Sequence, residues 1–127
     1  MAPRIKLKIL DGSYGIARLS ASEAIPAWAD GGGFVSINRT DDELSIVCLI
    51  DRIPQDVRVD PGWSCFKFQG PFAFDETGIV LSVIAPLSTN GIGIFVVSTF
   101  DGDHLLVKSN DLEKVVDLLA NAGHSLI

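Results

Sequence analysis

The stretch Thr77–Lys108, TGIVLSVIAPLSTNGIGIFVVSTFDGDHLLVK, constrains the fold of this chain more than any other. Ile79, Val80, Val83, Ile84 and Leu87 recur at helical spacing, and Asn90-Gly91 offers the left-handed ending that many helices use. The spacing predicts a buried helix from Thr77 to about Asn90. Pro86 lies inside it, removes the backbone bond to residue 82, and predicts a bend at a cost of about 3 kcal/mol unless its surroundings compensate. Ile94 to Phe100 is short and β-branched and reads as a strand. Asp101-Gly102 then matches the dipeptide of a type I′ turn, with His104 to Lys108 returning antiparallel. A two-residue turn would set Phe100 opposite Asp103 and Thr99 opposite His104, gathering polar groups at one end of an apolar hairpin.

The rest of the chain follows in order. Arg4 to Leu10 alternates charged and apolar residues, as a strand with one wet face does. Tyr14 to Leu19 is a second short strand, and Ser22 can cap a helical turn toward Trp28 that Pro26 keeps short. Gly31-Gly32-Gly33 reads as the most flexible point. Phe34 to Arg39 and Leu44 to Ile50 form a hairpin around Thr40–Glu43. Laid over the later hairpin at an offset of 61 residues, it places Asn38 on Thr99 and Asp42 on Asp103, the pattern of an internal duplication. Asp51 to Gly62, with Pro54 and Pro61, reads as a connector, and Trp63 to Gly70 as a strand followed by a loop through Glu76. Ser109-Asn110-Asp111 opens a second helix. Asn110 and Glu113 approximate a capping box there, Leu112, Val115, Val116, Leu119 and Ala122 form its apolar stripe, and His124 to Ile127 closes as an edge strand.

The second half therefore reads strand, helix, strand, strand, helix, strand, the ferredoxin-like βαββαβ order of an α+β fold. The first half stops after strand, helix, strand, strand. Residues 1–61 form an N-terminal unit, either truncated or completed by the terminal helix and strand, and 62–127 form a C-terminal unit.

Across 127 residues, 47% hydrophobic content supports a core without disulfides, and a net charge of -6 opposes nucleic acid as a partner. MAPRIKLKIL interleaves basic and apolar residues and so lacks the layout of a signal peptide. No apolar run approaches the roughly 18 residues of a membrane span, so a cytoplasmic protein with no membrane partner is expected. Cys48 and Cys65 sit in apolar runs and read as buried thiols, since neither sequence context supplies the basic neighbour that a catalytic thiol wants. His104 follows Asp103, but adjacent strand residues face opposite ways and do not make a base and its orienter. Ser98 or Ser109 drawn with either histidine lacks a nucleophile elbow, and metal-ligand spacing and a phosphate loop are missing too. The expectation is a protein that is not an enzyme and has no cofactor.

The segments TGIVLSVIAPLSTNGIGIFVVSTFDGDHLLV and FVSINRTDDELSIV resemble ACT modules: a glycine opening a helix, an "L…GI" ending, then an "ST(F)…DH…V" hairpin. The chain is similar to a small tandem ACT-domain protein, akin to the modules of aspartokinase and of the CASTOR arginine sensors, with a truncated first repeat. The resemblance implies a regulatory module that binds a free amino acid at paired interfaces, as a homodimer. The residues allow that chemistry by themselves. Amides at Thr77, Gly78 and Ile79 suit a ligand carboxylate, Asp103, with Asp101 as partner, suits an ammonium or guanidinium, Thr99 offers a hydroxyl and Phe100 a wall. The resemblance assigns ligand contacts to Gly78, Ile79, Val80, Thr99, Phe100 and Asp103, with Asn38 and Asp42 at related places in the first repeat. Each has a plainer reading: Asp101-Gly102 as a turn only, Thr77 as a cap, Gly78 as a packing glycine, Phe100 as core. The competing function is a ligand-free protein–protein interaction module.

Overall fold

A β-strand whose partners lie far along the chain organises the C-terminal half. The computed structural model describes residues 3–70, 72 and 77–127. Two compact units are present, one made of residues 1–10 and 64–127 and the other of 11–63.

In the first of these units the strands are β1 (Lys6–Ile9), the end of β5 (Arg58–Phe68), β6 (Ile94–Ser98), β7 (Asp103–Lys108) and β8 (Ser125–Leu126), with helices α1 (Ile79–Ser88) and α2 (Leu112–Asn121). From β5 onward the order is βαββαβ, as the periodicity predicts. The lateral order is β6-β7-β5-β1-β8, so β1 lies between the opening and closing strands of that series. It pairs antiparallel with β5 through Leu7 and Phe68 and parallel with β8 through Leu7 and Leu126. Leu7, Phe66, Phe68, Leu105 and Val107 turn one face of this sheet toward Val83 and Leu87 of α1 and Val115 and Leu119 of α2. All nine are 2% exposed or less, each contributing roughly 1.5–3 kcal/mol by burial.

The second unit has β2 (Tyr14–Leu19), β3 (Ser36–Arg39), β4 (Leu44–Leu49) and the beginning of β5, in the order β3-β4-β2-β5. The helical turn expected near Trp28 is a single 3-10 turn at Ala27–Ala29, with no side-chain cap. Ala17, Ala29, Leu44, Ile46 and Cys48 form the centre of its core.

Several expectations are corrected. Residues 58–62 are strand and not connector, because Pro61-Gly62 forms a bulge: Tyr14 faces Trp63 while Ile16 faces Asp60, leaving one extra residue on β5. Gly62, at φ +79°, supplies the backbone that this bulge needs. The triple glycine is held and not free, since the Arg52 guanidinium donates to the carbonyls of Trp28 (3.2 Å) and Gly32 (2.8 Å). The same guanidinium lies beside Cys48, a basic neighbour that local sequence did not reveal. Burial nevertheless dominates and pushes that thiol above its ordinary value, and burial alone pushes Cys65 up to about 12. Both cysteines are free and buried. No capping box forms at α2, whose N-cap is Asp111 without a side-chain bond, because a 3-10 turn over Ser109–Asp111 takes its place. Of the loop expected ahead of α1, Pro71, Ala73, Phe74, Asp75 and Glu76 lie outside the described residues.

Pro86 sits within α1, which runs on to Ser88, and its compensation is specific. The Ser82 carbonyl, which a non-proline residue at 86 would bond, meets His124 Nε2 at 2.8 Å, and the Ile5 N–H donates to His124 Nδ1 at 3.0 Å. Because an amide can only donate, Nδ1 accepts and Nε2 carries the proton. His124→Ala, which strands both backbone groups, is expected to lower unfolding free energy by about 3 kcal/mol in urea titrations. In a Pro86→Ala background, where residue 86 regains its N–H, the same change should cost about 1 kcal/mol less.

Candidate functional site

Helix α1 begins without a side-chain cap. Gly78 is its N-cap at φ +78°, a left-handed backbone that other residues adopt only with strain. Its carbonyl receives the first helical bond, from the Ser82 amide at 3.0 Å. The amides of Ile79, Val80 and Leu81 have no acceptor among the described residues, so three donors and the positive end of the helix dipole converge there.

The tip of the β6–β7 hairpin stands nearby. Its register pairs Ser98 with Asp103 and Val97 with His104, two residues from the alignment that a type I′ turn would give. The loop is instead Thr99–Gly102, and neither Asp101 nor Gly102 has positive φ. Thr99 closes it, with its backbone N–H (2.7 Å) and its hydroxyl (2.9 Å) both donating to the Gly102 carbonyl. The Phe72 amide fixes the outside of the loop by donating to the Asp101 carbonyl at 2.9 Å. A slip of two residues keeps every side chain on its face, so Asp103 still points where alternation put it. Its carboxylate accepts a short bond from the Ser98 hydroxyl.

The β3–β4 hairpin closes in the same way. Ser36 faces Val47 and Arg39 faces Leu44, and the Thr40 amide donates to the Glu43 carbonyl at 2.9 Å. The two loops superpose at an offset of 59 residues, Thr40 matching Thr99, and not at the expected 61. Asn38 therefore corresponds to Val97 and Asp42 to Asp101.

A concavity of about 310 Å³ lies between the start of α1 and the hairpin tip. Six of the expected residues line it: Gly78, Ile79, Val80, Thr99, Phe100 and Asp103. Phe72, Leu81, Ser98 and Gly102 line it as well and were missed. Leu81 is two residues past the expected amides and Ser98 follows from the corrected register, whereas nothing local marks Phe72. Thr77 is exposed just ahead of Gly78 and is not in the lining. Asn38 and Asp42 belong to the other compact unit, where the Asn38 amide donates to Ser36 Oγ at 3.0 Å and Asp42 sits in an exposed turn. Phe100 is 78% exposed, against the expectation of a core residue. Asp103 is the single charged residue among the described lining.

His104 opens to the opposite face, onto a concavity of about 300 Å³ shared with Lys67, Gln69 and Asp101. Asp103 and His104 thus face different spaces. Burial first, and the Lys67 charge second, push the His104 pKa below its ordinary 6.5, while Asp103 acts weakly the other way. A depressed folded-state pKa leaves stability intact above pH 6.5 and removes it as pH falls through that value toward the folded one. Urea midpoints should therefore drop between about pH 7.5 and pH 5.5, and drop less in His104→Gln. Among the described residues, no cluster of three His, Cys, Asp or Glu is arranged to hold a metal ion. No helix among them is long and apolar enough to cross a membrane.

The chain has relatives among known proteins. The family model of the ACT domain matches residues 58–121, and a second model, described as an N-terminal domain, matches residues 12–56. The cytosolic arginine sensor for mTORC1 subunit 1 of Rattus norvegicus is 28% identical over 120 residues, covering 83% of this chain and 36% of the sensor. The chain thus spans little more than a third of the length of that relative. A crystal structure of an Agobacterium tumefaciens protein is 94% identical, with a TM-score of 0.95, over 99% of this chain and 94% of that one. Aspartate kinase of Clostridium acetobutylicum, described as an allosteric enzyme, shares the fold at a TM-score of 0.65 and 15% identity, over 88% of this chain and 33% of the kinase.

Proposed function

The chain belongs to the ACT domain family, and from that premise we propose that it is a regulatory protein that binds a free amino acid at the start of α1. The observation that carries this reading is the concavity lined both by the first residues of α1, whose amides lack an acceptor among the described residues, and by Asp103. A zwitterion has one group for each. Its carboxylate is held by the amides of Ile79, Val80 and Leu81, reached past the side-chain-free Gly78, with Thr77 just outside. Its ammonium bonds Asp103, which exchanges its bond from Ser98 for a charge-assisted one. Thr99 supplies a hydroxyl, and Phe100 walls the ligand side chain.

The same reading makes the chain a tandem of ACT-like units, 1–61 truncated and 62–127 complete, with β1 added to the second. The matching closures of the two hairpins support it, and Asn38 and Asp42 are then polar positions of the first repeat. Among the described residues strand β6 pairs only with β7, and its apolar residues are half-buried, which supports a homodimer joined along that edge. The relative named as an arginine sensor supports a role without catalysis, and its description as cytosolic supports a cytoplasmic one. Regulation follows when the ligand binds one arrangement of the dimer more tightly than another.

A second reading, a ligand-free interaction module, draws on Leu81 and Phe100, which are 64% and 78% exposed beside the same concavity. A thermal-shift screen of free amino acids separates the two. At about 100 times its dissociation constant a true ligand stabilises the fold by about 2.7 kcal/mol, and Asp103→Ala should abolish that shift while leaving the unliganded melting temperature nearly unchanged. A folded protein that no amino acid stabilises would favour the interaction module.

A further inference from the structure

In the unit of residues 11–63, one cross-strand row carries an unusual charge pattern. Asn38 on β3 faces Ser45 on β4, Ser45 faces Arg18 on β2, and Arg18 faces Arg58 on β5. Residues in direct register share a face, so two arginines that are 40 positions apart in sequence leave the same face of the sheet from opposed positions. Like charges directly opposite each other destabilise a ladder. Among the described residues neither arginine forms an ion pair: Arg18 donates to the Asp42 backbone carbonyl at 3.0 Å and the Arg58 side chain has no hydrogen bond, although the chain has 16 acidic residues. Asp60, two residues from Arg58 on the same face, accepts a bond from Trp63 Nε1 at 3.2 Å. A concavity of about 290 Å³ lies at this point, lined by Ile16, Arg18, Arg58, Val59 and Asp60.

We propose that this is a binding site for a compact oxyanion of the phosphate class, held between the guanidinium groups of Arg18 and Arg58. Each guanidinium presents a planar fork of donors matched to two oxygens of a tetrahedral anion, and an anion between them converts their repulsion into two attractions. The Ser45 hydroxyl is the next group along the row and adds a neutral donor. Counting Asp60, the site has one net positive charge, which suits a small anion better than a nucleic-acid backbone. It shares no residue with the concavity at α1, so its occupant is a second ligand and not the amino acid.

The test is a titration of the full chain with inorganic phosphate, and separately with glycerol phosphate, in chloride buffer at constant ionic strength, followed by amide NMR. Saturable shifts confined to residues 16–18, 45 and 58–60 are expected. Equal affinities assign free phosphate, and tighter binding of the ester assigns a phosphorylated metabolite. Arg58→Gln, at an exposed position without bonds, should leave the fold intact, raise melting temperature slightly in chloride, and weaken the anion on the order of tenfold. Shifts that grow linearly with either anion, or an unchanged affinity in Arg58→Gln, would overturn the proposal.

Discussion

The unit that carries the candidate site depends on one imidazole. His124 is 6% exposed and follows the glycine that ends α2, and its ring reaches the Ile5 amide on one side and the Ser82 carbonyl on the other. The first bond fixes the entry to β1. The second satisfies the carbonyl that Pro86 leaves without its helical donor, so that a proline inside α1 costs less than it would in isolation. Three segments are thereby held by one side chain: the approach to β1, the middle of α1 and the end of α2. Since α1 presents the amides of Ile79, Val80 and Leu81, the placement of those donors rests on a contact from a residue 42 positions beyond Ser82.

Much of this was legible because it is local. Both helices and both hairpins follow from spacing over a dozen residues, and six residues of the concavity follow from a helix start and a strand end that sit close together in sequence. The errors share a cause as well. Asp101-Gly102 by itself predicts a two-residue turn, but the loop conformation is decided by the Thr99 hydroxyl and by the Phe72 amide, and the second lies far upstream. Pro61-Gly62 ordinarily breaks a strand, and only the partner strand β2 makes it a bulge. Alternation in Lys6–Ile9 identifies a strand without naming its neighbours.

The second unit shows the same division between local propensity and distant contact. Three consecutive glycines promise freedom, yet Arg52, about 20 residues later, ties the segment by bonds to Trp28 and Gly32. Arg52 also sits beside Cys48, where its charge opposes the effect of burial without overcoming it. Cys48 therefore packs as a small apolar group with a cation for a neighbour.

The interior position of β1 also sets an order of events in synthesis. Leu7 emerges from the ribosome long before Phe68 and longer still before Leu126, the residues it must pair with on either side. Until both exist, β1 is a short alternating segment with two open edges, and its contacts have the long sequence separation that slows folding. The sheet can close only after the final helix has been made. Closure of this unit therefore waits on the synthesis of β8, and until then the nascent β1 lacks both of its partners and is open to mispairing.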